Sequence, residues 1–248
     1  MKLKQQLEEQ SELNYQQYLP HLSIDSVVFG FHESALKVLI LKLKDQDLWG
    51  LPGGYVKKEE SINEAASRIL KERTGAKDIY LQQFRVFGDL NRSEGFFADY
   101  DDKQWHKQRF ISIGYYALVD YKDVSLVPDE YSSACEWVDV AELPNFMMDH
   151  GRILEKALAT LRKQLNYKPI GMSLLPEKFT MPELQKLYEI ILAKKLNRGN
   201  FYRKILRFGI LEKLNESRKG GAHKAPDLYR FDPEKYRDAL QNGLQSEW

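Results

Sequence analysis

The chain has 248 residues, 43% of them hydrophobic and 29% charged, a composition that supports one large or two small folded domains and excludes a disordered or membrane protein. No run approaches the ~18 apolar residues of a membrane-spanning helix, and MKLKQQLEEQSELNYQQY at the N-terminus lacks the apolar core of a signal peptide. The net charge of +1 conceals a division: residues 1–165 carry 21 basic and 26 acidic side chains, whereas residues 166–248 carry 16 and 10. A cytoplasmic protein with two jobs and no membrane partner is expected. Lone Cys135, in ACEWVDV, offers no disulfide framework and reads as a small buried hydrophobe. The five histidines, His21, His32, His106, His150 and His223, show no metal-ligand spacing.

In chain order, residues 1–20 form a short amphipathic arm or nothing ordered, and Pro20 ends the segment. SIDSVVFGFHES and ALKVLILKLKD read as two strands joined by a turn at His32–Ser34. Gly53 and Gly54 supply a tight loop that feeds a helix. Ser61 caps that helix in a capping box with Glu64, and Gly75 ends it. Ile62, Ala65, Ala66, Ile69 and Leu70 recur at helical spacing and make its buried face.

The run Gly53–Ala76, GGYVKKEESINEAASRILKERTGA, resembles the Nudix box, whose pattern is G-x5-E-x7-R-E-U-x-E-E-x-G-U with U a bulky aliphatic residue. Gly54, Glu60, Arg68, Leu70, Glu72 and Gly75 stand at matching positions. Family enzymes carry three carboxylates at the positions of Ile69, Glu72 and Arg73, which share one helix face and hold magnesium. Here one is aliphatic and one cationic. The resemblance therefore implies a Nudix scaffold without hydrolysis, with no catalytic residue, metal ligand or cofactor. The alternative is a magnesium-dependent pyrophosphatase acting on ADP-ribose or a related nucleotide, with carboxylates recruited from Glu59, Glu60 or Glu64.

Downstream, IYLQQFRVFGDLNR, QRFISIGYYALVDY and ACEWVDVAELP read as strands, and MMDHGRILEKALATLRKQL as an amphipathic helix. The intervening SEGFFADYDDKQWHK is long enough for a functional loop. NYKPIGMSLLP, with two prolines and a glycine, reads as an extended linker.

Past it, Thr180 caps a helix with Pro182 in its first turn and Leu184, Leu187, Tyr188 and Ile191 as its buried stripe. A turn over roughly 193–196 leads to a second helix capped by Asn197 and ending near Gly209. Phe201, Ile205 and Phe208 fall on one side of it, and Gly199, Asn200, Arg203, Lys204 and Arg207 on the other. That is a helix-turn-helix, and the following ILEKLNESRKGGAHKAPDLYRFD reads as a basic hairpin wing. Between Lys194 and Lys224 there are 10 basic residues against 2 acidic ones. Arg198, Asn200, Arg203, Lys204, Arg207, Arg218, Lys219, His223 and Lys224 are the candidate contacts to double-stranded DNA. Cations neutralise phosphates, and Asn200 and Arg203 suit adenine and guanine edges.

Taken together, ISIGYYAL, MMDH, PIGMSLLPEKFT and NFYRK resemble the bacterial Nudix-related transcriptional regulators of the NrtR and AraR type. The resemblance implies an α+β chain with a Nudix fold, a mixed sheet between helices, followed by a winged helix. The expected organisation is an arm over 1–22, an effector-sensing Nudix-like domain over 23–165, a linker over 166–176 and a DNA-binding winged helix over 177–248. A homodimeric repressor on a palindromic operator is implied, with a small-molecule effector, a sugar or an ADP-ribose-like nucleotide, in the former substrate cleft. Arg85, Asp89, Arg109, Tyr115 and His150 are the candidate lining residues. Arg85 and Tyr115 also read as ordinary strand residues, and Asp149 with His150 as a helix cap. Trp105 and its loop close over a ligand or lie at a dimer surface.

Overall fold

The computed structural model describes residues 3–75, 79–218 and 226–244. They form two compact units, Met1–Gly30 with Lys37–Leu158 and Phe31–Leu36 with Ala159–Trp248.

The first unit is built on a mixed sheet. Its strands are β1 (Tyr18–His32), β2 (Ala35–Leu43), β3 (Trp49–Gly50), β4 (Gly53–Lys57), β5 (Tyr80–Phe87), β6 (Ile111–Leu118) and β7 (Ser132–Asp139). The order is β3-β2-β1-β6-β5, with β4 also beside β1 and β7 beside β2. β1 runs parallel to β6 and antiparallel to β4. Both Glu33 and Ser34 take the left-handed conformation in the β1–β2 turn, which matches the twist of a tight hairpin. The helices are α1 (Leu3–Gln17), α2 (Ile62–Thr74) and α3 (His150–Gln164).

The capping box of α2 is present in full, with Ser61 and Glu64 exchanging bonds and Gly75 at φ +64° closing the other end. Ala65, Ala66 and Ile69 lie in a core with Ile24, Val56, Ile113 and Tyr115, while Leu70 meets Val28, Leu39, Ala117 and Cys135. Removing a side chain such as Ile69 or Leu70 from water contributes about 1.5–3 kcal/mol. Ile62, expected on that face, stays 38% exposed in the first turn of the helix, beyond the sheet's reach. Cys135 is buried as expected, and burial pushes its thiol up to about 11.

Three expectations are corrected. Pro20 does not end a segment: β1 starts at Tyr18 and passes through it, with His21 at φ +69° and a shift of register against β4 between Tyr18 and Ser23. Proline is tolerated at such a bulge because no ladder hydrogen bond is asked of it. Gly53 and Gly54 are not a loop but the start of β4, paired with Asp25 and Ile24. A Cβ on Gly53 would stand 2.8 Å from the Ile24 carbonyl oxygen and 2.9 Å from Asp25 Oδ1, so the glycine makes room for a carboxylate. Finally, the segment over 93–107 is anchored in the core by Phe97, Trp105 and His106, while residues 98, 99 and 101–103 stay exposed. Trp105 is fully buried among Tyr15, Tyr18, Tyr55 and Phe110.

The N-terminal arm is ordered as α1, with Leu3, Leu7, Ser11 and Asn14 buried. Asp45, from the loop after β2, accepts the Leu3 N–H at 3.1 Å and satisfies one free donor of its first turn.

The second unit contains β8 (Phe179–Thr180), α4 (Met181–Leu192), α5 (Arg198–Arg207), β9 (Leu211–Ser217), β10 (Asp227–Phe231) and α6 (Pro233–Asn242). Its sheet order is β8-β10-β9. Residues 166–176 are non-helical, as their prolines imply, and bury Ile170, Leu174 and Leu175. The sequence reading left out α6, although Asp232 caps it and Pro233 opens it.

Because Gly53 faces backbone and carboxylate whereas nothing stands within 4 Å of a Cβ on Gly95, the two Gly→Ala changes should part company. Gly53→Ala is expected to destabilise the protein by about 1–3 kcal/mol in chemical denaturation, and Gly95→Ala by less than about 0.5 kcal/mol. Equal effects would contradict the account of β4.

Candidate effector cavity and nucleic-acid interface

The first unit holds a cavity of about 250 Å³ bounded by the start of β1, β4, α2, the 92–110 segment and α1. On one side lies a buried ionic network. Asp25 interrupts the apolar run of β1, and Arg92 comes from the loop after β5. Arg92 donates to Asp149 at 2.7 and 3.1 Å and to Asp25 at 3.3 Å. Ser112 donates to Asp25 at 2.5 Å. Burial opposes the charge of Arg92, yet the two carboxylates outweigh it and hold its guanidinium above the usual value. The Leu51 N–H donates to His150 Nδ1 at 2.9 Å, which leaves the proton of the neutral ring on Nε2, 3.7 Å from Asp25. Burial lowers the His150 pKa against the pull of Asp25 and Asp149, which favours the neutral ring.

The box closes on itself. Arg68 reaches Glu60 through two bonds of 2.9 and 2.6 Å, Tyr55 O at 2.9 Å and Glu72 at 3.4 Å. The Arg68 guanidinium also holds the Glu60 carboxyl below the usual carboxylate range. Ile69 is 1% exposed and lies beneath Gly54, where a Cβ would come within 3.1 Å of it. Arg73 lines the cavity and pairs loosely with Asp129 at 3.7 Å. Magnesium, which Nudix enzymes hold at this helix, does not fit these residues: one of the three positions is buried hydrocarbon, one is a cation, and Glu72 is shared with Arg68. Among the described residues, no three His, Cys, Asp or Glu side chains gather in a metal-holding group.

Of the five residues expected to line an effector pocket, His150 alone reaches the cavity wall. Arg85 points outward from edge strand β5. Asp89 is paired with exposed Arg152, and Arg109 donates to Gly88 O at 3.0 Å. Tyr115 sits in the core under α2, its hydroxyl donating to Asn63 at 2.6 Å. The expectation chose polar residues near strand ends; long-range closure by the 92–110 segment and α1 put Asn14, Asp25, Tyr55, Arg92 and His106 at the cavity instead. Asp25 had a visible signal, as a lone carboxylate in an apolar strand. Asn14 and His106 had none.

In the second unit the capping box of α4 joins Thr180 and Glu183, and Ala193 closes the helix at φ +52°. Glu189 accepts the Leu196 N–H at 2.8 Å, and Gln185 donates to Leu196 O at 3.0 Å, so α4 itself fixes the turn before α5. Asn197 caps α5. Phe201 and Ile205 are buried, while Arg198, Asn200, Arg203, Lys204 and Arg207 are exposed on the other side. Arg203 donates to Asn200 Oδ1 at 2.6 Å, which orients the two side chains as a pair. Among the described residues, Arg198, Lys204 and Arg207 have no carboxylate partner. The wing differs. Lys178 pairs with Glu216, Lys213 with Asp227, Arg230 with Glu212 and Arg218 with Glu183 at the start of α4. Arg218, expected at DNA, is thus turned onto its own helix-turn-helix. Lys219, His223 and Lys224 lie outside the described residues.

A Nudix fold with an inward-closed box, followed by a winged helix whose second helix presents unpaired cations, defines a DNA-binding regulator on a Nudix scaffold. Residues 19–157 match the NUDIX domain family, and residues 171–231 match the NrtR DNA-binding winged helix domain. The chain is 30% identical to the ADPR responsive transcriptional repressor NtrR of Acinetobacter baylyi over 88% of its own length and 84% of that protein's. The crystal structure of Shewanella oneidensis NrtR complexed with a 27mer DNA superposes with a TM-score of 0.70 at 26% identity, over 87% of this chain and 95% of that one. An ADP-ribose pyrophosphatase of Methanocaldococcus jannaschii is 28% identical over 57% of this chain and 75% of its own. The chain belongs to the NrtR family of Nudix-containing transcriptional repressors.

Burial lowers the pKa of His106 to about 4 from 6.5. As pH falls, the unfolded chain therefore binds this proton first; the stability is fully present above 6.5 and drains away between 6.5 and 4. Wild type should lose stability to urea over that window faster than His106→Phe, by roughly 3 kcal/mol near pH 4. Parallel pH curves would contradict the burial of a neutral imidazole.

Proposed function

We propose that this protein is a homodimeric repressor that reads a palindromic operator through α5 and senses an ADP-ribose-like nucleotide in the Nudix cavity without hydrolysing it. The sensing part corresponds to residues 23–165, the linker to 166–176 and the DNA reader to 177–248. One observation carries the reading: where a hydrolase needs carboxylates facing the cavity, α2 offers buried Ile69 and cationic Arg73. A cation at that wall suits the phosphates of a bound nucleotide and opposes a second cation beside it, by several kcal/mol at a few Å and an effective dielectric of about 20. The Acinetobacter relative, called ADPR responsive, favours a nucleotide over a pentose such as arabinose as effector.

Two copies of α5 related by a two-fold axis would read half-sites about one or two helical turns apart. Arg198, Lys204 and Arg207 then serve phosphates, and the Asn200–Arg203 pair serves base edges. An effector changes DNA affinity only by preferring one dimer geometry, and the effect is reciprocal. The second reading, a magnesium-dependent pyrophosphatase, draws on the retained Glu60, Arg68 and Glu72 and on the archaeal relative.

Two measurements test the proposal. Arg203→Ala should weaken operator binding by about 1–3 kcal/mol, and unchanged affinity would remove Arg203 from base reading. ADP-ribose should raise the unfolding temperature by mass action while arabinose does not, and ADP-ribose with magnesium should remain intact. Turnover of ~1 per second or faster would favour the pyrophosphatase instead.

A further inference from the structure

Two buried polar side chains face the cavity from outside the ionic network. Asn14 on α1 is 2% exposed, and its Nδ2 has no hydrogen-bond partner. His106 is 6% exposed, and neither ring nitrogen has one. α1 is anchored over this segment: the Trp105 N–H donates to Ser11 Oγ at 2.9 Å, and the Tyr15 ring meets Trp105 edge-on at 4.9 Å. The rings of Phe97, Tyr131 and Tyr55 stand 5.8, 5.9 and 6.3 Å from His106. The result is an aromatic chamber with an amide donor and an imidazole in its wall.

Buried donors and acceptors left without partners destabilise the fold, so a chain keeps them where something else completes them. A phosphate needs cations, and the cavity lining supplies Arg73, whose Nε also lacks a partner. The chamber suits a flat π face held between rings. The unpartnered Asn14 NH2, together with a neutral imidazole that offers one donor and one acceptor, matches the edge of a nucleobase better than the hydroxyls of a sugar.

We propose that Asn14 and His106 are specificity-determining residues that take the base of a nucleoside diphosphate ligand, while Arg73 takes its phosphates. This rests on the sensing function proposed above. It makes α1 part of the binding site rather than an appendage.

Calorimetric titration of the full chain with ADP-ribose, ADP and ribose 5-phosphate tests it. Wild type should bind the two base-containing ligands at least tenfold more tightly than ribose 5-phosphate. Asn14→Leu and His106→Phe should each lose tenfold or more for ADP-ribose, keep ribose 5-phosphate within twofold, and melt at or above the wild-type temperature at pH 7.5. Variants of that stability with wild-type ADP-ribose affinity would overturn the assignment while leaving the sensing function intact. Wild type that binds ADP but ignores ADP-ribose, with ADP affinity lost in Asn14→Leu, would support the chamber and overturn the ADP-ribose reading. The two substitutions lie on separate elements, so either one that folds decides the matter.

Discussion

The first unit depends on a guanidinium held between two carboxylates. The Arg92 side chain is 4% exposed, and its partners Asp25 and Asp149 come from β1 and the start of α3. Asp25 also takes the Ser112 hydroxyl from β6 and fills the space that a side chain at Gly53 would occupy on β4. One carboxylate therefore sets the spacing of three strands and the position of a loop. A buried ion pair of this kind adds little net stability compared with a well-packed apolar alternative, but breaking it leaves an uncompensated charge at about 3–5 kcal/mol. Its value lies in geometry. It holds the segment beyond β5 against the sheet, and that segment supplies Phe97, His106 and Phe110 to the lining of the cavity.

Against that fixed floor, the box helix keeps its fold and changes its electrostatics. The Glu60–Arg68 contact is retained and bidentate, the strong form of a charge-assisted pair, and it ties the loop before α2 to the helix itself. Local structure therefore survives without the acidic face. What remains of that face is inward hydrocarbon at Ile69 and a cation at Arg73. In the proposed sensing role, a cation at this wall in place of a carboxylate complements the negative charge of a nucleotide's phosphates.

Much of this was legible because it is local. Ser61 with Glu64, Thr180 with Glu183 and Asn197 each announce a helix within four residues, and all three caps form. The alternation and β-branching of ISIGYYAL fix β6 in the same way, and the substitutions at Ile69 and Arg73 stand in the chain for anyone to read. The rest is long-range. Gly53 and Gly54 look like a turn until Asp25 is known to lie opposite them. The buried stripe of α1 includes Ser11 and Asn14, so its pattern is too polar to declare a packed helix. Arg85, Asp89, Arg109 and Tyr115 had suitable chemistry but faced elsewhere, because which residues meet at a cavity is decided by the path of the 92–110 segment, not by spacing along the chain.

Charge in the second unit follows the same distinction between what is spoken for and what is free. The excess of +6 over residues 166–248 counts Lys178, Lys213, Arg218 and Arg230, yet each of these has a carboxylate beside it in the wing or at the start of α4. Exposed pairs contribute little to folding, about 0–1 kcal/mol, but they lower the field that a phosphate would meet at the wing strands. Among the described residues, Arg198, Lys204 and Arg207 of α5 have no such partner, which in the proposed reading leaves their charge free for a duplex on the helix that carries the Asn200–Arg203 pair. Composition reported the sign of the module. The pairing shows that, among the described residues, unmatched cations and the Asn200–Arg203 pair share α5, and the proposed DNA reading uses both, attraction to phosphates and hydrogen bonding to base edges, from one helix.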